Sequence, residues 1–403
     1  MTDNSINKIK FSLYIFAIFF VSYETITYLA NDMIMPGMVD VTKEFHVGLE
    51  YVASSLSVYL LGNTAIQLFL GPTADRYGKR KVILVGNFFF LMFTILIALS
   101  TNIQGFMWGR FLQGTGCAFV AIGYSVIHEN FNDKSAVRLL ALMGNVTILA
   151  PLLGPVLGGI VITYSGWRTI FVIIAAAALI VFIGLLKFTP ETNSDVIKRV
   201  SPKSCVIEYF SILKNRGFVF GTIATSLALI PLLAWIGLTP VLIMETAKRS
   251  FADYIICQII ALSGLSIASI LMQFIAGKFS FYKIMLTGTI LFFLGAFLNI
   301  IFYENVYIIA VNFFISFFGF GLYNGMAIRS IIITCKFSKN MTMSLFVFFE
   351  SVAMAAGLEL VNIICDKYNF SLFSFTFSIF IISLVTVTFM FIFCYMNKNK
   401  NWE

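Results

Sequence analysis

Two carboxylates, Glu24 and Asp32, stand in the apolar stretch ETITYLANDMIMPGM, residues 24–38. Low dielectric favours the neutral form of a carboxylic acid and a neighbouring cation favours the ionised form, so a proton and a cationic group can compete for one such site. Eight helical residues correspond to a rise of about 12 Å and a rotation of about 80°, which lets both acids look toward one space at different depths. Tyr28 lies four residues from each and can reach the same space. For Asp32, four residues before Pro36, capping or wetting of a helix end is the structural alternative. The two histidines, His46 and His128, fall near the ends of apolar runs, which leaves carboxylates as the better proton carriers.

A third charge, Arg110 in GRFLQGTG (residues 109–116), also falls inside an apolar run. A guanidinium in hydrocarbon costs a few kcal/mol or more unless it is paired or wetted, so it must face protein, either as part of the same chemistry or in a structural ion pair. Further along, SLFVFFESVAMAAGLEL (residues 344–360) carries Glu350 and Glu359, nine residues and about 900° apart, on nearly opposite helix faces. Glu350 is either a third titrating site that widens the charge range of ligands or the structural partner of Arg329, the pairing being favoured. Glu359 is given no role.

The elements that must hold these groups are membrane helices. Of the 403 residues, 59% are hydrophobic and 11% charged, with mean hydropathy +0.93, against about 25% charged in soluble domains. Apolar runs of about 20 residues, the length that crosses a bilayer, recur at 11–34, 50–72, 81–100, 105–127, 138–163, 168–188, 217–243, 254–277, 282–303, 307–334, 341–365 and 370–395. The expected fold is therefore all-α and polytopic, with twelve transmembrane helices in two six-helix halves, 1–188 and 217–403, joined by a polar cytoplasmic linker at 189–216. The first run leads into further spans and is expected to be retained. With both termini cytoplasmic, twenty of the 27 basic residues fall on inner segments and five on outer ones, Arg110 and Arg329 being inside spans. That topology and the anionic lipid headgroups account for the net charge of +8, with no need of nucleic acid. Six scattered cysteines without CxxC pairs suggest neither disulfide nor metal framework. No cofactor is expected. The absence of GxxxxGK[ST], HExxH or a clustered His/Cys/Asp set speaks against an enzyme or an ATPase.

Two segments carry positional patterns. GPTADRYGKRK (residues 71–81) places Gly71 and Gly78 where a tight turn joins two helices, Asp75 where it can meet helix amides or a basic partner, and Arg76, Lys79, Arg80 and Lys81 at the inner headgroups. An ordinary basic turn is the plainer reading. APLLGPVLGG (residues 150–159) puts Gly154 and Gly158 on one helix face for close packing, beside Gly159, and Pro155 where it can kink the helix.

The first segment resembles the signature loop of the major facilitator superfamily, and the second resembles the Gly-Pro-x-x-Gly-Gly element of its antiporters. Together with YLANDMIMPGM, RFLQG, ALMGNVTILAPLLGP and GLYNGMAIR they resemble the MdfA-type multidrug transporters, more fully in the first half than in the second. The resemblance implies a proton-coupled antiporter that exports lipophilic, cationic or neutral drugs by alternating access and confers antibiotic resistance. It would be a monomer in the bacterial inner membrane whose partners are a small-molecule substrate, protons and lipid. By the same resemblance Glu24, Asp32 and Arg110 serve coupling and substrate, with Tyr28, Asn31, Tyr124 and Asn145 as cavity residues; Tyr124 sits one residue closer to Arg110 than the family spacing. Glu350 stands where the family has Gln. A dedicated exporter of one metabolite such as a siderophore, or a receptor that binds without transport, fits the same scaffold. The 45 phenylalanines and 16 methionines supply adaptable apolar surface, most of it for lipid and packing.

Overall fold

The computed structural model describes residues 3–191, 202–275, 278–335 and 339–396; residues 192–201 of the expected linker lie outside them. Among the described residues the chain is helical, with no strand. Eleven helical stretches are long and apolar enough to cross a membrane, and a bent pair, Arg138–Thr147 with Leu149–Ser165, makes a twelfth. The protein is an integral membrane protein, because only helices or closed barrels satisfy every backbone group in lipid.

By contact the chain divides into two units, Met1–Val47 with Val58–Val200, and Gly48–Ser57 with Ser201–Glu403. The first is built from α1 (Asp3–Asp32), α2 (Met38–Glu44), most of α3 (Glu50–Tyr77), α4 (Lys79–Ala98), α5 (Ile103–Ala118), α6 (Val120–Asn130), α7 (Asp133–Ser165) and α8 (Trp167–Phe188). α1 packs on α7 and α8, and α4 on α5 and α8. In the second unit are α9 (Pro202–Leu213), α10 (Arg216–Pro240), α11 (Phe251–Ile275), α12 (Phe281–Ile301), α13 (Val306–Thr334), α14 (Lys339–Lys367) and α15 (Leu372–Met396). There α13 packs on α11 and α12, and α10 on α14 and α15. α9, within the expected linker, was not anticipated as a helix.

Polar residues between the apolar runs start many of these helices. Asn102 accepts from the Gly105 N–H (2.7 Å), Asn132 from Ser135 (2.9 Å) and Asn305 from Tyr307 (2.9 Å), each occupying one of the donors that a helix start leaves free. Prolines end others. α1 stops at Asp32 and passes through a 3-10 turn at Met35–Gly37 that contains Pro36. α10 stops at Pro240 and passes into a π-helical turn, Val241–Thr246. The first helix of each expected half is thus interrupted at a proline.

Three expectations about the patterned segments need correction. Gly71 forms no turn: it lies inside α3, and Gly78 alone, at φ 89°, supplies the left-handed conformation that separates α3 from α4. Asp75 and Arg76 are exposed and take no ion pair among the described residues; the ties come from the next positions. Lys79 pairs with Glu129, and Arg80 reaches both Glu191 Oε1 (2.6 Å) and the Leu186 carbonyl (2.9 Å) in the last turn of α8. Finally, the 50° bend in α7 falls not at Pro155 but between Thr147 and Leu149, where Pro151 deprives the Thr147 carbonyl of its donor and crowds it.

At the α7–α8 end of the first unit Arg168 holds Glu44 (2.6 Å) and the Ser100 carbonyl (2.9 Å), while the Trp167 ring N–H donates to Glu44 (2.8 Å). In the second unit Ser54 donates to both oxygens of Glu359 (2.8 and 3.0 Å), and Asn362 donates to the Glu50 carbonyl (2.8 Å). These bonds tie the start of α3 to α14 and give Glu359 a structural role.

The α1–α7 contact depends on two missing side chains. A Cβ on Gly158 would stand 1.9 Å from the Met33 carbonyl oxygen, and one on Gly154 would stand 2.5 Å from Asp32 Cβ. Gly158→Ala is therefore expected to destabilise the protein by about 1–3 kcal/mol, since the obstructing atom is backbone. Gly144→Ala, whose Cβ would meet nothing within 4 Å, should leave the apparent melting temperature in detergent nearly unchanged. Equal melting temperatures for the two variants would refute this packing.

Candidate functional site

Arg110 on α5 is fully buried, at 0% exposure. Its position is set by α1, whose proline interruption leaves carbonyls at the end of the helix short of intrahelical donors. One guanidinium nitrogen donates to the Ala30 carbonyl (3.3 Å) and to Gln113 Oε1 (2.7 Å), and the other donates to Asn31 Oδ1 (2.8 Å). The Tyr59 ring lies under the guanidinium, 4.6 Å from its carbon, a cation–π contact of the kind strengthened by desolvation. A cation at a helix C-terminus also meets the negative end of the helix dipole.

The neighbours of Arg110 are fixed in turn. Gln113 donates to Thr94 Oγ1 of α4 (2.8 Å), the Tyr59 hydroxyl donates to the Thr27 carbonyl (2.9 Å), and the Tyr23 hydroxyl donates to the Gly116 carbonyl (2.6 Å). The ion-pair alternative for Arg110 does not hold among the described residues, because every hydrogen bond it makes goes to a neutral oxygen.

Asp32, the last residue of α1, is 3% exposed. It accepts from the Asn31 side-chain amide (3.2 Å), so Asn31 stands between guanidinium and carboxylate with its oxygen toward one and its nitrogen toward the other. Burial removes the alternative in which Asp32 merely wets a helix end. Glu24, 1% exposed, accepts from the Tyr124 hydroxyl of α6 (2.6 Å), while its second oxygen is buried without a hydrogen-bond partner. Tyr28 lies within electrostatic reach of both acids.

Of the residues expected at this site, the structure gathers Glu24, Tyr28, Asn31, Asp32, Arg110 and Tyr124 in the first unit. Asn145 is not joined to them; it is exposed on α7 and makes no hydrogen bond among the described residues. Pro155 and Gly159 are buried in α7 beside the glycines that pack on α1. Sequence reasoning missed Tyr59, Thr94 and Gln113. Only Gln113 carried a signal, its spacing of three from Arg110 placing it on the same helix face. Glu350 belongs to the second unit, and its expected pairing with Arg329 is absent: Arg329 is exposed near the end of α13, and no ion pair joins the two. An exposed guanidinium close to a helix end keeps its charge solvated and needs no buried partner. Among the described residues no group of three or more His, Cys, Asp or Glu side chains could hold a metal.

The model of the Major Facilitator Superfamily matches residues 21–358. A protein named multidrug transporter MdfA from Yersinia pestis bv. Antiqua (strain Angola) is 33% identical over 368 residues, covering 89% of this chain and 90% of that one. The chloramphenicol resistance protein CraA of Acinetobacter baumannii (strain ATCC 19606) is 38% identical over 289 residues, 70% of each chain. Among solved structures a D-xylose–proton symporter superposes with TM-score 0.75 at 15% identity over 94% of this chain and 98% of that one, a likeness of fold. The chain belongs to the major facilitator superfamily, in its MdfA-type branch, and so to a family of membrane transporters rather than of enzymes.

Proposed function

We propose that this protein is a drug exporter that exchanges lipophilic compounds, cationic or neutral, for protons. The observation that carries the reading is the pair of buried acids, Glu24 and Asp32, that Arg110 does not neutralise by direct contact. A membrane-embedded acid without a counter-ion is costly as a carboxylate, which suits it to hold a proton until a cation or a rearranged arginine takes the proton's place. Tyr28, Asn31 and Tyr124 orient the two acids.

In this reading residues 1–188 and 217–403 act as the two halves of an alternating-access cycle, with 189–216 as their linker. Gly71, Asp75, Arg76, Gly78 and Arg80 mark the inner face, and Gly154, Pro155, Gly158 and Gly159 the packing element associated with antiport. The distribution of Lys and Arg supports cytoplasmic termini in a bacterial inner membrane, with a monomer among anionic lipids as the working unit. The names of the relatives favour several drugs over a single metabolite as cargo.

Drug-induced proton efflux from everted vesicles held acid inside tests the exchange, with one cationic and one neutral drug. Wild type should release protons on drug addition, and the Glu24→Gln, Asp32→Asn double variant should fall to the level of vesicles without the protein. Proton release that persists in the double variant would sink the proposal, and a silent wild type would point to a dedicated exporter or a receptor.

The arrangement around Arg110 gives a separate expectation. Arg110→Lys keeps the charge but not the planar fork that reaches Ala30, Asn31 and Gln113 together. A destabilisation of about 2–4 kcal/mol follows from buried acceptors left unmet, read as a fall of about 2–5 °C in apparent melting temperature. A thermally neutral replacement would show that the fork is not what holds the end of α1.

A further inference from the structure

Glu350 is the one membrane acid of the second unit that the site above leaves unexplained. It stands eleven residues into the 29-residue helix α14, about 17 Å along its axis, which places it near mid-membrane. It is partly exposed, and no hydrogen bond or ion pair joins it to any described residue. An ionisable group at such depth ordinarily faces protein or a water-filled space and meets a partner there.

Helix geometry says which way it faces. Ala356, Leu360 and Ile363 form the exposed stripe of the outer half of α14, and Glu350 stands about 110° around from that stripe. It shares its own stripe with Met343, Val347 and Met354, at spacings of four, three and four residues. On the same side Gly357 closes against Ile230 of α10, within 2.2 Å of where a Cβ would lie. Four successive reversals make α10 and α14 run in the same direction, so Glu350, seven residues before Gly357, stands at the level of Ile223, seven residues before Ile230, on the facing side of α10. A carboxylate with no hydrogen bond or ion pair to any described residue therefore stands on the side of α14 that meets α10, bordered by the flexible apolar side chains of its own stripe. Methionine-lined apolar surface with one fixed anion suits a lipophilic cation, whose body needs adaptable contacts and whose charge needs a single counter-ion.

We infer that Glu350 is an anionic subsite in the second unit that receives the positive group of lipophilic cations and gives them preference over neutral compounds. The inference rests on the export reading for its biological use, but the subsite can be tested by binding alone.

Purified full-length protein in detergent is titrated with tetraphenylphosphonium, and vesicles are assayed in parallel for transport of tetraphenylphosphonium and of chloramphenicol, comparing wild type with Glu350→Gln and Glu350→Asp. Glu350→Gln should weaken tetraphenylphosphonium binding about tenfold or more, as loss of a charged partner does, and should depress its transport while chloramphenicol transport stays within about twofold of wild type. Glu350→Asp should recover part of the cation binding. Unchanged binding in a folded Glu350→Gln protein overturns the subsite, and so does an equal loss of both transport activities, which would assign Glu350 to a step common to all cargo. If wild type transports neither compound, the export reading fails on its own, and the binding titration still decides the subsite.

Discussion

A guanidinium with no exposed surface sets the terms for the first unit. Arg110 cannot be left unsatisfied in a low-dielectric interior, and the chain supplies it with neutral partners: the Ala30 carbonyl, the amide oxygens of Asn31 and Gln113, and the face of Tyr59. Two of these partners are themselves held, Gln113 by Thr94 on α4 and Tyr59 by the backbone of α1 at Thr27. Pro36 matters because it ends α1 where those carbonyls become available. The break in α1, the arginine and the tyrosine beneath it are one arrangement.

Because neutral oxygens satisfy the arginine, the carboxylates keep their freedom. Asp32 is reached only through Asn31, and Glu24 is held by a single hydroxyl with its other oxygen bare. A direct salt bridge would have fixed the charge of Asp32 and made its removal strongly destabilising. An intervening amide keeps the cation near enough to stabilise an ionised acid while leaving room for the acid to be neutral. The glycines of α7 complete the setting, since Gly154 and Gly158 let that helix close directly onto Asp32 and Met33.

Much of this was legible in the sequence. Twelve apolar runs, the acids and the arginine inside them, and the small-residue face of residues 150–159 are one-dimensional signals with direct physical meaning. Pairings were not legible. Nothing in the spacing tells Tyr59 that Arg110 will lie over its ring, or tells Arg80 rather than Asp75 to reach α8. The bend in α7 was assigned to Pro155, within the recognised element, when Pro151 one turn earlier has the same missing donor; local chemistry allowed either, and packing chose. The pairing of Glu350 with Arg329 failed because charge complementarity in a sequence says nothing about depth, and Arg329 is exposed. The helix at Pro202–Leu213 was hidden by the polar composition of its surroundings.

Coupled export requires that Glu24 and Asp32 exchange protons for ligand. The most direct measurement is the number of protons released when a saturating lipophilic cation binds purified protein in weakly buffered detergent, with no membrane gradient to complicate the reading. Release on binding that is abolished when both acids are replaced by their amides is the predicted result. Binding of the cation with no proton released by the wild-type protein would contradict the account.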